Sequence, residues 1–545
     1  MEISTLKNST FRFAILFIFV LGIVLRLIFS PDINFESDSF SLLLSAKNIY
    51  ENGQYSIPPV ALTDNVDHPR YTGWAVGYPL LLSAIFSIFG YGETIARLLT
   101  ILLSSVTILM VAILGNRLYG KKMGIVSALL VAVNPTLVCI NGRILSANIA
   151  YAFLTMSISF AFLAAIRETG DKVFLSLNEI LTSRKHRSFV YLSSFFFGCT
   201  LATRDDYSIF APVLAFVVLG VMYNSREGLG NIKPWDYVKC SVTAIVLLVV
   251  GYLPNTYFNY QNYGQLFAST GLEYGLRLSL DYFLSGNDAL YHLSGWIIIT
   301  ATLLILVAPI FSILFLWKSQ RSMLIGIVTG LMLLAIIFVY GSFPTSIGGS
   351  GRYIVPIIPF ALISAGMLLV KKDLVSQWTR SAFIVCLILW NILLFYPPRV
   401  VFDMFPKTAH ITHYIPWYNT DNYMNYPHPI VTTVKWVKGN TPPNAIILSD
   451  YDNYHYFFYA NRDVVNPDSI EEIRKYLAAR PMFFVEDHQR VINRTTLGKW
   501  MKRLGDSGIT LMEKGSIPFF SPSAGRVSLK IFELSLSTHG MAQIN

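Results

Sequence analysis

Trp74-Ala-Val-Gly-Tyr-Pro-Leu-Leu-Leu-Ser-Ala-Ile-Phe-Ser-Ile-Phe89 has the composition of a membrane span without the length of one. At about 1.5 Å per residue it reaches roughly 24 Å, short of the roughly 30 Å hydrocarbon core. Pro79 sits inside it. Whether this segment crosses the membrane decides the orientation of every loop that follows.

Eleven other apolar runs are candidate spans, at about 11–29, 95–116, 123–140, 147–166, 188–203, 207–223, 237–253, 295–317, 323–341, 353–370 and 381–396. If 74–89 stays on the surface, eighteen Lys and Arg fall on the cytoplasmic side of these spans. Only eight then lie at or near the outer face before the C-terminal region: Arg26, Lys47, Arg70, Arg97, Arg143, Arg204, Arg277 and Arg352. Counting 74–89 as a span turns the later loops over and puts most of the basic ones outside. The positive-inside tendency therefore predicts a short helix lying along the outer surface.

Composition agrees with a polytopic membrane protein. The 545 residues are 53% hydrophobic, 14% aromatic and only 14% charged, and a soluble chain of this size would expose far more charge. The net charge of +10 is accounted for by cytoplasmic loops, so nucleic acid is not an expected partner. Cys139, Cys199, Cys240 and Cys386 lie in or beside apolar runs without a CxxC pair and read as small apolar residues. Phe11 to Phe29 lacks a small-residue cleavage site and is expected to be retained as the first span.

The first external loop, residues 30–94, is predicted to hold two interfacial helices. One covers about 39–51 with Gly53 at its C-terminal cap, and the other is the segment quoted above. Residues 254–293 form a second external loop, and 342–353 a third containing Gly348-Gly-Ser-Gly351. Pro397-Pro398 opens a region with no run long enough to span. There short apolar runs (445–449, 482–485, 527–534) alternate with helical patterns (469–479, 495–504), which reads as a small α/β domain. The chain thus divides into a transmembrane part, 1–396, and a domain, 397–545. An odd number of spans places that domain outside, where Asn493-Arg-Thr495 is a glycosylation-type sequon.

Charged residues gather at the outer ends of the spans. Glu36-Ser-Asp38 places two carboxylates beside the membrane surface. Asp38 precedes the helical pattern of Phe40, Leu43, Leu44 and Lys47, so it is either an N-cap or a general base made more basic by partial desolvation. Glu36 could share a divalent metal with it or simply be solvated. Asp67-His-Pro-Arg70 joins acid, imidazole and guanidinium in the same loop, a group suited to a polar substrate or a metal and equally an ordinary surface mixture. Arg143 lies between two spans. Arg204-Asp-Asp206 occupies another turn at membrane depth, where three charges must be paired internally or bind an anionic ligand. Arg352-Tyr353 opens the tenth span, and a guanidinium's planar fork suits phosphate. Such a gathering fits an enzyme acting on a lipid-linked phosphate from outside. The rival reading is a non-catalytic polytopic protein, either a lipid or sugar transporter or an inactive relative that binds glycan. A transporter would need charged or broken helices near the midplane, where most span centres here are plain apolar.

The pattern resembles the integral-membrane GT-C glycosyltransferases that use polyprenyl-phosphate sugars, above all protein O-mannosyltransferases and the lipid A aminoarabinose transferase. The similar elements are Asp38 with Ala46-Lys-Asn-Ile-Tyr-Glu-Asn-Gly53, Gly77-Tyr-Pro-Leu-Leu-Leu82, Phe89-Gly90 and Ala96-Arg-Leu98. Asn134-Pro135, Arg143 with Ser146, Thr203-Arg204 and Arg352-Tyr-Ile-Val-Pro356 follow in order. Members often carry adjacent Asp-Glu at the first motif. Here Ser39 follows Asp38, and the extra acid is Glu36 upstream. The resemblance implies an α-helical polytopic GT-C fold with an extracytoplasmic α/β domain. It also implies a hexosyl- or pentosyltransferase that moves one sugar, with inversion, from a polyprenyl (dolichyl-type) phosphate to a hydroxyl of a glycan, protein or lipid. Asp38 would be the base, and Arg143, Arg204 and Arg352 would neutralise the leaving phosphate. The oligosaccharyltransferase signature Trp-Trp-Asp-Tyr-Gly has only a partial counterpart, Pro234-Trp-Asp-Tyr237, which reads as an interfacial anchor at the opposite face.

Overall fold

The computed structural model describes residues 2–30, 37–57, 75–167, 173–225, 234–264, 266, 320–340, 355–370, 377, 381, 385, 429–449, 456–465, 470–486, 501–521 and 525–536. The helical body begins with α1 (Glu2–Ile28), α2 (Ser37–Asn52), α3 (Gly77–Phe89), α4 (Glu93–Tyr119), α5 (Lys121–Val133) and α6 (Pro135–Asn141). It continues with α7 (Ser146–Ala165), α8 (Leu177–Thr182), α9 (Arg184–Thr203), a 3-10 turn (Asp205–Phe210), α10 (Ala211–Ser225) and α11 (Pro234–Tyr263). Two further helices are α12 (Gln320–Tyr340) and α13 (Ile358–Val370). Among the described residues five helices are long and apolar enough to cross a membrane, or six if α5 and α6 make one bent span. The expected spans 295–317 and 381–396 lie outside the described residues, apart from isolated positions of the second.

The outside of this body is apolar, which only a lipid surrounding accommodates. In α11 just 11% of the most apolar stretch is buried, with Val242, Ile245, Val246 and Val249 all exposed. The inside is closely packed. Residues of α1, α4, α5, α7, α9, α10, α12 and α13 form one core around Ile158, Phe162, Phe210 and Phe360. Small residues let two backbones meet where α9 crosses α11: a Cβ on Gly198 would fall 2.1 Å from the Leu248 carbonyl oxygen.

The two helices expected in the first external loop are present. α2 ends where Gly53 N–H returns to the Ile49 carbonyl at 2.9 Å. α3 has thirteen residues, about 20 Å of helix, too short to cross, and it packs against α2. The single span expected over 123–140 is instead broken, with α5 and α6 bent by 57°. Pro135 is the cause: it lacks an N–H and pushes Asn134 out of helical geometry, to φ −63° and ψ 121°. Asn134 then caps the new helix, its side chain accepting from Leu137 N–H at 3.0 Å.

Toward the C-terminus, α14 (Pro429–Asn440) and α15 (Ile470–Ala479) pack on a five-stranded mixed sheet of order β2-β1-β3-β5-β4. β1 (Ile446–Leu448) pairs parallel with β2 (Asp463–Val465) and β3 (Met482–Val485). β5 (Gly525–Leu536) runs antiparallel to β3 and to β4 (Ile509–Ser521). The three apolar runs expected as strands are β1, β3 and β5. The short β2 and the charge-bearing β4 were not expected.

Candidate active site

Three junctions between helices meet at one end of the helical body. At the first, Asp38 is the second residue of α2 and Ser39 the third. Ser39 Oγ donates to the Ile144 carbonyl at 2.8 Å. Ser30 Oγ, at the end of the first span, donates to the Gly142 carbonyl at 3.0 Å. Residues just before and just after the Glu36 segment are therefore both fastened to the turn that joins α6 to α7, and that turn carries Arg143.

Arg143 is buried, with 2% exposure. Its own backbone is clamped: Arg143 N–H donates to Ile140 O at 2.9 Å, and Asn148 Nδ2 donates to both Ile140 O and Arg143 O at 2.8 Å. A guanidinium at a helix junction is expensive to bury, and this one is carried on backbone whose polar groups are tied to their neighbours. Asn141 Nδ2 extends the network to Tyr151 Oη at 2.6 Å.

The second junction is the C-terminal cap of α9. Arg204 donates through Nε to Asp206 Oδ1 at 2.9 Å and through a terminal nitrogen to Oδ2 at 2.5 Å, with the Tyr207 ring 5.6 Å away. Of the two readings the sequence left open, the internal Arg–Asp pair is formed. The start of α3 presses on this cap: a Cβ at Gly77 would lie 2.6 Å from the Ala202 carbonyl oxygen, so no larger residue fits without moving backbone. Val76 N–H donates to Asn255 Oδ1 at 3.1 Å, which ties the same point to α11. Leu42, Leu43 and Ala46 of α2 share a core with Tyr78, Leu82 and Phe86 of α3 and with Ile144 and Ile149. Burial pushes the Tyr78 hydroxyl well above its ordinary pKa, only partly offset by its 2.5 Å hydrogen bond with Thr100, so Tyr78 is a neutral structural group.

The third contact comes from the C-terminal part. The turn Tyr456–Ala460 lies on α2: the Phe458 and Tyr459 rings sit 5.1 and 5.9 Å from that of Phe40. Tyr459 Oη also donates to Glu93 Oε2 at 2.8 Å.

The structure thus brings together the α2 start bearing Asp38, Arg143 and Arg204. Glu36, Asp67, His68, Arg70, Arg352, Tyr353 and the Asp38 side chain lie outside the described residues. Among the described residues no group of three or more His, Cys, Asp or Glu is placed to hold a metal.

Two features went unread in the sequence. Arg26, counted there as a charge near the outer face, is wholly buried in α1. It donates to Gly22 O at 2.8 Å, to Ala132 O at 3.4 Å and to Val131 O at 3.5 Å. Its position inside an apolar run, ahead of a span interrupted by Pro135, was the available signal. The aromatic run Tyr456-Phe-Phe-Tyr459 carried no sign of what it would touch.

Residues 67–252, about a third of the chain, match the family model of dolichyl-phosphate-mannose-protein mannosyltransferases. The fold is similar to the crystal structure of ArnT from Cupriavidus metallidurans bound to undecaprenyl phosphate: TM-score 0.53, 12% identity, 95% of this chain and 97% of that one. It resembles the same protein in the apo state with TM-score 0.55, again at 12% identity over 95% and 97% of the two chains. The archaeal oligosaccharyltransferase AglB from Archaeoglobus fulgidus, in complex with an inhibitory peptide and a dolichol-phosphate, gives 0.50 at 12% identity over 96% of this chain and 74% of that one. No curated protein is significantly similar in sequence. The chain thus shares its fold with ArnT and AglB, and five of its described helices are long and apolar enough to cross a membrane.

Proposed function

We propose that this protein transfers a single sugar from a polyprenyl-phosphate donor to an acceptor hydroxyl at the outer face of the membrane, with inversion. The observation that carries the reading is the Ser39–Ile144 hydrogen bond at 2.8 Å. It holds the helix start bearing a carboxylate against the turn bearing a buried guanidinium, the two charges such a reaction needs. Asp38 takes the proton of the acceptor hydroxyl, whose oxygen then attacks the anomeric carbon. The bond from that carbon to the phosphate oxygen breaks on the opposite face, and polyprenyl phosphate leaves with its electrons. Arg143, Arg204 and Arg352 serve the leaving phosphate, since cations held in a dry site stabilise developing negative charge. Arg204 is paired with Asp206, which holds its guanidinium in place. Asp67, His68, Arg70 and Tyr353 bind substrate in the same scheme. The division at residue 397 leaves the transmembrane part as the catalytic body, with an extracytoplasmic domain covering it.

Asp38→Asn tests the reading. In membranes supplied with polyprenyl-phosphate sugar, the folded variant should lose turnover by about 10²–10⁴-fold, the range for a positioned general base. Normal turnover by Asp38→Asn would remove the base assignment. Analysis of the product anomer tests inversion, because a retained configuration would exclude the single in-line displacement.

A further inference from the structure

We infer that the end of the helical body opposite this site binds one anionic glycerophospholipid, with an acyl chain in a slot between α9, α10 and α11 and the headgroup phosphate on Arg184 and Arg187. A cavity of about 530 Å³ opens there, lined on its walls by Ala164, Phe197, Val217, Cys240 and Ala244. Its volume falls within the range of about 300–1,000 Å³ typical of ligand pockets, and its lining is almost wholly apolar. Ser146 opens α7 beside the proposed active site, and Ala164 lies eighteen residues further along the same helix. That is about 27 Å at 1.5 Å per residue, so the slot is separate from the site of sugar transfer.

The rim of the slot is cationic. Arg184 and Arg187 stand three residues apart in the first turns of α9, and three residues beyond Arg187 comes Val190, a lining residue. Residues three apart lie side by side on a helix, so Arg187 adjoins both Arg184 and Val190. Arg187 lies within electrostatic range of Tyr191 and Cys240, and Cys240 lines the slot. Among the described residues, neither arginine has a carboxylate partner, and Arg187 Nε is buried without a hydrogen bond. Trp235, 73% exposed, and Tyr237 stand at the start of α11 beside the rim, as aromatic side chains do at the level of lipid headgroups. Positive charge above an apolar slot is complementary to an anionic phospholipid, and the charge distribution of the loops puts this end in the cytoplasmic leaflet, where such lipids concentrate. A long polyprenyl chain would overfill the slot, which favours a phospholipid acyl chain as its occupant.

The full-length protein, extracted from vesicles of equal parts phosphatidylglycerol and phosphatidylcholine, should retain one phosphatidylglycerol in native mass spectrometry, preferred about tenfold over phosphatidylcholine. The Arg184→Gln/Arg187→Gln double variant changes one exposed and one half-buried side chain at the rim and leaves the slot's apolar lining intact. It should fold normally and lose that preference. Ala244→Phe should fill the slot and release both lipids while the elution profile stays monodisperse. Quenching of Trp235 by brominated phosphatidylglycerol, read as the difference from Trp235→Phe, gives a second measurement independent of extraction. Equal retention of the two lipids by the wild-type protein would overturn the proposal. So would undiminished retention by Ala244→Phe, or displacement of phosphatidylglycerol by equimolar polyprenyl phosphate.

Discussion

The ring of Phe458 stacks on that of Phe40 with centroids 5.1 Å apart and planes 26° from parallel, two residues beyond Asp38 on the same helix. One turn of the C-terminal region thereby rests on the start of the helix that carries the proposed base. Aromatic pairs of this kind contribute about 0.5–1.5 kcal/mol beyond the area they bury. That is small against the stability of the body but comparable to the energy that positions a loop. Phe458→Ala should therefore leave thermal unfolding within a few degrees of wild type. It should lower turnover by about threefold to tenfold, since each 1.4 kcal/mol corresponds to a factor of ten in rate. Phe458→Tyr should restore it. Steady-state assays with the three proteins decide the matter, and a large fall in melting temperature with unchanged turnover would show the contact to be purely structural.

Ser39 tests the same geometry from the other side. Its Oγ reaches the Ile144 carbonyl at 2.8 Å and the residue is almost wholly buried. Ser39→Ala removes the donor and leaves the carbonyl unsatisfied, at a cost of about 1–3 kcal/mol. If the bond sets the distance between the α2 start and Arg143, the loss should fall on kcat rather than on donor KM, by at least tenfold. Ser39→Thr keeps the hydroxyl and should recover most of it. Equal effects of Ala and Thr would mean that packing, not the hydrogen bond, matters at this position.

Below the opposite end of the body, Glu179 is held by hydrogen bonds. Burial alone would raise its pKa. The Ser176 backbone N–H and hydroxyl, at 2.7 and 2.8 Å, and the Arg167 guanidinium outweigh this and hold the carboxyl below its ordinary value. A depressed carboxylate contributes stability that is present above the unfolded pKa and is lost as pH falls through the folded one. Amide protection over α8, corrected for the intrinsic exchange rate, should therefore be full at neutral pH and fall below about pH 4, near the ordinary carboxylate range. Glu179→Ala should show the reduced protection at every pH. A variant as protected as wild type at pH 7 would contradict this account of Glu179 as the cap of α8.

Much of the architecture was legible from composition and charge, because bilayer thickness and loop charge impose strong rules on a sequence. The shortness of 74–89 and the placement of Lys and Arg were enough to separate α3 from the spans. Gly53 and the apolar pattern of 40–47 were enough to bound α2. The break at Asn134-Pro135 was equally present in the sequence, yet a long apolar run concealed it, since hydrophobicity cannot tell a continuous span from a bent one. The Ser39–Ile144 and Phe40–Phe458 contacts were not legible at all. They join residues about a hundred and four hundred positions apart, and nothing in a serine or a phenylalanine specifies its partner at that range.

The break at Pro135 supplies a last expectation, because it accounts for Arg26. In a continuous helix the Val131 carbonyl would accept from the N–H of residue 135, which proline lacks. Arg26 reaches that carbonyl at 3.5 Å and the Ala132 carbonyl at 3.4 Å, and its positive charge sits at the negative end of α5. Arg26→Ala should thus orphan the carbonyls at the break and cost about 1–3 kcal/mol, seen as a lower melting temperature in detergent. Pro135→Ala returns a donor to Val131, so the double variant Arg26→Ala/Pro135→Ala should be less destabilised than the sum of the two single ones. The same restoration tends to straighten α5 into α6 and to shift the turn that carries Arg143. Turnover should therefore stay low in the double variant even as its stability recovers. Strict additivity of the two stability effects would sever Arg26 from the break.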